Sequence, residues 1–153
     1  MKLETKRLSI IPCTKQTIEI AMKQNYDHGP QIQTYLELLK EDPSLLYWGV
    51  WLVIRKNDGV IIGDIGFKGK PDKNKTVEVG YGFLESFWNQ GYATEAVGAL
   101  IKWAFDTSKV KKVVAETLHN NYGSMRVLEK LGMIKVNETK TMINWKIKQN
   151  FTR

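Results

Sequence analysis

Thr76-Val77-Glu78-Val79-Gly80-Tyr81-Gly82-Phe83-Leu84-Glu85-Ser86-Phe87-Trp88-Asn89-Gln90-Gly91-Tyr92-Ala93-Thr94 is the stretch that decides the fold. Its first half alternates, with Val77, Val79, Tyr81 and Phe83 to one side and Glu78, Gly80, Gly82 and Leu84 to the other, the two-residue period of a strand. Its second half is a polar turn containing Gly91 that runs straight into a helix. There Ala93, Ala96, Val97, Leu100, Ile101 and Ala104 recur at three- and four-residue steps, an apolar stripe over residues 92–106.

A helix start leaves backbone N–H groups without intrahelical partners, and with the helix dipole they make a place for an anion such as a phosphate. Gly91 lets a ligand come close to the backbone there. A glycine would serve a tight turn equally well, so the rest of the chain has to decide between the two.

The 153 residues, 42% hydrophobic and 25% charged, are enough for one globular domain with a real core. The amino terminus is charged and lacks the apolar run of a signal peptide, and no stretch approaches the roughly 20 apolar residues of a membrane span. The expectation is a cytoplasmic protein with no membrane partner. A single cysteine, Cys13, can form neither an internal disulfide nor a metal cluster and reads as a small buried side chain. The net charge of +7 favours polyanionic partners without choosing among them. Lys68, Lys70, Lys73 and Lys75 fall in one loop and Lys109, Lys111 and Lys112 in another, which is ordinary solvated surface. A nucleic-acid role would rest on charge alone and is not expected.

Residues 3–12 alternate as a first strand stopped by Pro12. Thr14 is a candidate cap for a helix over 15–25, and a second helix covers 31–41. Residues 47–55 and 60–68 read as strands joined by the hairpin turn Asn57-Asp58-Gly59. After the helix over 92–106 come a strand at 113–117, a helix at 122–131 and a pair of strands within 134–148. Strand 76–84, helix 92–106 and strand 113–117 form a βαβ crossover, so those two strands should be parallel. The other strands, joined by short turns, should be antiparallel. The expected class is α+β: a single mixed, mostly antiparallel sheet with helices on both faces. Trp48, Trp51, Trp103 and Trp145 are expected in the core.

Three segments, in order, resemble a family. Trp88-Asn89-Gln90-Gly91-Tyr92-Ala93 is similar to the (Gln/Arg)-x-x-Gly-x-(Gly/Ala) pyrophosphate loop of the GNAT N-acetyltransferases, with Trp88 in the Gln or Arg place. Asn121-Tyr122-Gly123-Ser124, leading to Leu131-Gly132-Met133, resembles the family's Asn-x-x-Ser/Ala helix, with Met133 where Phe is usual. The opening Leu3-Glu4-Thr5-Lys6-Arg7-Leu8 and the phrase from Trp88 to Ala96 resemble the branch of bacterial ribosomal-protein N-terminal acetyltransferases. The resemblance covers essentially the whole chain and implies a single acetyltransferase domain over residues 1–153.

The resemblance implies acetyl-CoA as co-substrate, with no metal, and direct transfer to a primary amine, either a protein N-terminal amine or a small molecule such as a polyamine, amino acid or aminoglycoside. A CoA-binding module without turnover is the alternative from another class. Either a monomer or a homodimer is compatible. The implied cofactor site is Gln90, Gly91, Tyr92, Ala93 and Thr94 on the pyrophosphate, and the backbone of Phe83 and Leu84 along the pantetheine arm. An N–H of Phe83 or Leu84 would meet the oxyanion, with Gly80 and Gly82 permitting a bulge that turns it inward.

Acetyl transfer also needs a neutral amine and a proton for the departing thiolate. Glu78, on the glycine face of its strand, is the first candidate base, Glu116 the second, and solvent the third. Many family members place a Tyr acid at the position of Leu128, so that acid is missing. Ser124 stands in the family's Ser position and is the candidate replacement, ahead of Tyr122, while Asn121 either reaches the pantetheine or caps its helix. Acceptor choice should lie in residues 25–43 and 137–141. His28 and His119 have no evident partners, and residues 64–71 only superficially resemble a phosphate loop, since Asp64 stands where Gly belongs and Pro71 where Ser or Thr must follow.

Overall fold

A computed structural model describes residues 1–27 and 29–149; His28 lies outside them. Eight strands form one sheet in the order β1-β2-β3-β4-β5-β6-β8-β7. They are β1 (Leu3–Glu4), β2 (Leu8–Pro12), β3 (Val50–Arg55), β4 (Ile61–Phe67), β5 (Thr76–Phe83), β6 (Lys112–Leu118), β7 (Ile134–Glu138) and β8 (Met142–Lys148), and the helices are α1 (Ile18–Lys23), α2 (Gln31–Glu41), α3 (Tyr92–Asp106) and α4 (Tyr122–Lys130). Among the described residues only β5 and β6 pair in parallel, as a βαβ crossover requires. Every other neighbouring pair is antiparallel. No helix among the described residues is long and apolar enough to cross a membrane.

The helices divide between the two faces. Leu100, Ala96, Val97 and Ala104 of α3 and Leu128 of α4 pack on Val77, Val79 and Phe83 of β5 and on Val113 and Ala115 of β6. On the other face Ala21 of α1 and Ile32 and Tyr35 of α2 cover Cys13, Leu52 and Ile61. Trp48, Trp51 and Trp145 are buried. Trp103 is half-buried at the centre of an aromatic group with Tyr47, Trp48, Trp51 and Phe67.

Three local expectations need correction. The first strand is two, because Thr5 N–H donates to the Leu8 carbonyl at 2.9 Å and turns the chain between β1 and β2. The first helix begins later, at Ile18, since the Thr14 hydroxyl accepts from Thr17 N–H in the turn before it. No bulge occurs at Gly80 or Gly82, for the β4–β5 register runs unbroken from Gly63↔Phe83 to Phe67↔Val79; irregularities lie instead between Val53 and Ile54 of β3 and between Lys135 and Asn137 of β7.

Candidate active site

The pairing of β5 with β6 stops early. It joins Thr76, Val77 and Glu78 to Lys112, Val113 and Val114, yet β5 continues to Phe83 and β6 to Leu118. The two strands therefore part into a notch. Lys68 N–H donates to the Glu78 carbonyl, and Leu84 N–H donates to Ile62, each at 2.9 Å. Backbone groups alternate sides along a strand, so the even-numbered residues of β5 face β4 and the odd ones face β6. Tyr81 and Phe83 thus turn their N–H groups into the notch. The Leu84 N–H is already committed to the sheet, which leaves those of Phe83 and Tyr81 facing the notch.

The expected turn follows directly. Gly91 is the residue before α3, at φ 83° in the left-handed region, and no side chain caps the helix start, which leaves the first amides of Tyr92, Ala93 and Thr94 available to an anion. A Cβ on Gly91 would stand 3.3 Å from the Arg7 guanidinium. Asn89, at φ 62°, is a second left-handed position, which Asn tolerates well. Trp88 ties turn to strand: its indole N–H donates back to the Phe83 carbonyl at 2.7 Å. Gln90 is exposed, and its side-chain amide donates to Ser86.

Arg7 braces this turn. It donates to the Gln90 carbonyl at 3.0 Å and to the Glu95 carboxylate at 2.7 Å, and its guanidinium lies 4.2 Å over the Tyr92 ring. Burial alone would raise the Glu95 carboxyl, but hydrogen bonds from Thr5 and Arg7 hold it below its ordinary value. This brace adds stability above the ordinary carboxyl range and loses it as pH falls through the depressed value. The sequence carried only a family likeness at Arg7, because its partners lie more than eighty residues away. Arg7→Met is expected to weaken CoA binding several-fold by calorimetry while costing no more than ~1 kcal/mol of stability, the pair being half-exposed.

Beside the notch, on the α1–α2 face, a cavity of about 310 Å³ is lined by Gln31, Val50, Asp64, Gly66, Lys68, Gly80, Tyr81 and Gly82 among others. Its floor is bare backbone, and a Cβ added to Gly80 would meet only the Lys68 side chain, at 3.5 Å. Three carboxylates share this face. Glu78 is ion-paired with Lys68 at 2.9 Å, their side chains 30% and 58% exposed. Glu116, on β6, is exposed to solvent. Asp64 is 5% exposed and faces Gly82 in register. The Tyr26 hydroxyl donates to its carboxylate at 2.6 Å and the Gln31 amide at 3.3 Å.

At the other end of the notch stands the start of α4. The Asn121 side chain accepts from Ser124 N–H at 3.1 Å, so it caps the helix. Asn121→Ala should lower stability by ~1 kcal/mol, a melting-temperature drop of roughly 2–4 °C by calorimetry, with kcat retained. Ser124 lies in the first turn, half-buried, and its carbonyl accepts from the Tyr81 hydroxyl at 3.2 Å. Burial raises the Tyr81 phenol above its ordinary value, which keeps it protonated. Leu128 is 0% exposed, deep in the core, and Tyr122 is 67% exposed. Cys13 is fully buried, its thiol pushed up to about 12 by burial and by the charge of Asp64. His119 Nε2 lies 2.8 Å from the Thr139 carbonyl and Nδ1 3.6 Å from Glu138, a surface contact away from the cavity and the turn.

The chain as a whole has counterparts among known proteins. A family model described as acetyltransferase (GNAT) domain matches residues 14–134. The uncharacterized N-acetyltransferase YjdG of Bacillus subtilis is 32% identical over 121 residues, 79% of this chain and 72% of that protein. The ribosomal-protein-S5-alanine acetyltransferase from Vibrio fischeri shares the fold at TM-score 0.80 and 17% identity, over 99% of this chain and 98% of that one. RimL, a ribosomal L7/L12 alpha-N-protein acetyltransferase solved in complex with coenzyme A, does so at TM-score 0.76 and 14% identity, over 97% and 98%. The two structures speak to fold, while the family model and YjdG speak to descent: the chain belongs to the GNAT acetyltransferase family.

Proposed function

We infer that this N-acetyltransferase moves an acetyl group from acetyl-CoA directly to a primary amine, with the donor along the notch and the acceptor in the cavity on the α1–α2 face. The parting of β5 from β6 after Glu78, immediately before the glycine turn, carries this reading. Acetyl-CoA supplies a thioester that an uncharged amine attacks. The residues fit it: Gln90, Gly91, Tyr92, Ala93 and Thr94 offer amides to the pyrophosphate, and the edges of Tyr81 and Phe83 offer hydrogen bonds to the pantetheine arm.

An amide on the notch edge, from Phe83 or Tyr81, meets the developing oxyanion. Ser124 donates a proton toward the thiolate, and Glu78 or Glu116 takes one from the amine. Glu78 must first release Lys68, which sets the direction of a test: Glu78→Gln should lower the rate at neutral pH, and raising the pH should recover much of the loss as more amine becomes neutral. A pH profile identical to the parent's removes Glu78 from the mechanism. Complete burial of Cys13, whose thiol burial holds in its protonated form, supports direct transfer, without an acetyl-cysteine intermediate.

The acceptor is a protein N-terminal amine or a small amine. Leucine at position 128 favours one competing reading, CoA binding without turnover, because α4 then presents no tyrosine acid there. Release of free CoA with a panel of peptides, amino acids, polyamines and aminoglycosides tests both: CoA release with any amine supports transfer, and tight CoA binding with none released supports the binding module.

A further inference from the structure

Tyr81 joins the two walls of the notch. It stands on β5 beyond Glu78, the last residue paired to β6, in the stretch where the strands have already parted. Side chains alternate along a strand, so Tyr81 points to the α3–α4 face with Val77, Val79 and Phe83, and it packs against the core there. Its hydroxyl reaches α4, the helix that follows β6, and donates to the Ser124 carbonyl at 3.2 Å. The backbone therefore opens between β5 and β6 while one side chain closes the gap on its helix side. The wall on β6 is fixed as well: Ala115 and Thr117 are 3% and 4% exposed, and the Thr117 hydroxyl accepts from the Trp145 indole N–H at 3.0 Å.

This closure falls where the reacting end of the donor has to lie. With the pyrophosphate at residues 90–94, the pantetheine arm runs inward past Phe83, and the thioester is its innermost part. An amine arriving from the cavity on the α1–α2 face attacks perpendicular to the thioester plane. The carbonyl oxygen then lies toward a β5 amide and the sulfur leads back along the arm. The acyl chain is left pointing to the apex of the notch, with the Tyr81 ring behind it. From Tyr81 the apex is three residues of strand away, about 10 Å, where Glu78↔Val114 rejoins the two strands. A longer chain meets paired backbone ahead and the ring on the helix side, while the remaining side is where the acceptor stands. We propose that Tyr81 is a specificity-determining residue for the acyl group, its ring holding the notch to acetyl and excluding longer linear chains. The inference rests on the acetyl-CoA reading, with the donor lying along the notch.

Calorimetric titration with CoA, acetyl-CoA and butyryl-CoA tests it without an acceptor. The parent should bind acetyl-CoA at least about tenfold more tightly than butyryl-CoA, a modest demand for added methylenes in a closed pocket. Tyr81→Val, which suits a strand and removes the ring, should bring the two within about threefold. Tyr81→Phe, which removes the hydroxyl and keeps the ring, should retain the parent's discrimination. Equal affinities in the parent, or discrimination that survives in Tyr81→Val, overturn the assignment. Its loss in Tyr81→Phe does so too, by giving the role to the tie with Ser124. Should Tyr81→Val fail to fold, 13C-labelled tyrosine serves in its place, the Tyr81 ring resonance being assigned by its absence in Tyr81→Phe. That resonance should differ between CoA-bound and acetyl-CoA-bound protein; an identical position in the two puts the acyl group elsewhere. Absence of binding by all three ligands would sink the acetyl-CoA reading itself, whereas tight and equal binding sinks the acyl selection alone.

Discussion

Gly91→Val should weaken CoA binding at least tenfold, about 1.4 kcal/mol, in a protein that still folds. Two effects act together. Gly91 sits at φ 83°, where a β-branched residue is strained by about 1–3 kcal/mol. Its Cβ would also stand 3.3 Å from the Arg7 guanidinium, so the valine methyls push Arg7 off the Gln90 carbonyl that it braces. Both changes displace the first amides of α3 from where a pyrophosphate has to meet them. Calorimetry is the check, and an unchanged affinity in folded Gly91→Val protein would remove the turn from the binding site.

Ser124→Ala is expected to lower kcat about 10²-fold when chemistry limits the rate, the lower end of what a positioned proton donor contributes. CoA affinity should stay within a few-fold, because the helix keeps its Asn121 cap and its carbonyl bond from Tyr81. Restoring a phenol at position 128 should not rescue this variant. Leu128 is completely buried, so Leu128→Tyr overpacks the core, at a cost of typically 1–3 kcal/mol, instead of presenting a hydroxyl to the notch. Full kcat in Ser124→Ala would make Ser124 a helix residue only and pass the donor role to water or Tyr81.

What the sequence disclosed depended on how local the determining forces are. The strand at 76–83, the helix at 92–106 and the turn between them were legible because periodicity and Gly91 are properties of neighbours along the chain. Parallel pairing of β5 and β6 followed from the length of their connection. The point at which they separate was hidden, since it depends on register between distant strands, and the same register withdrew Leu84 and brought Tyr81 forward. The surroundings of Arg7 and Asp64 were hidden for a related reason: their partners lie far away in sequence, Glu95 among those of the one and Tyr26 and Gln31 among those of the other. Asn121 had two roles open to it in sequence, and the bond from Ser124 N–H shows the cap.

The notch itself is open to direct measurement by amide hydrogen exchange, followed residue by residue with and without CoA. An edge amide that gains a hydrogen-bonded ligand exchanges more slowly, whereas one already in a ladder changes little. Tyr81 and Phe83 should become protected when CoA binds, and Leu84, held by the Ile62 carbonyl, should be protected from the start. If CoA binds while the Tyr81 and Phe83 amides exchange as fast as before, the donor does not lie between β5 and β6, and the account of the site is wrong.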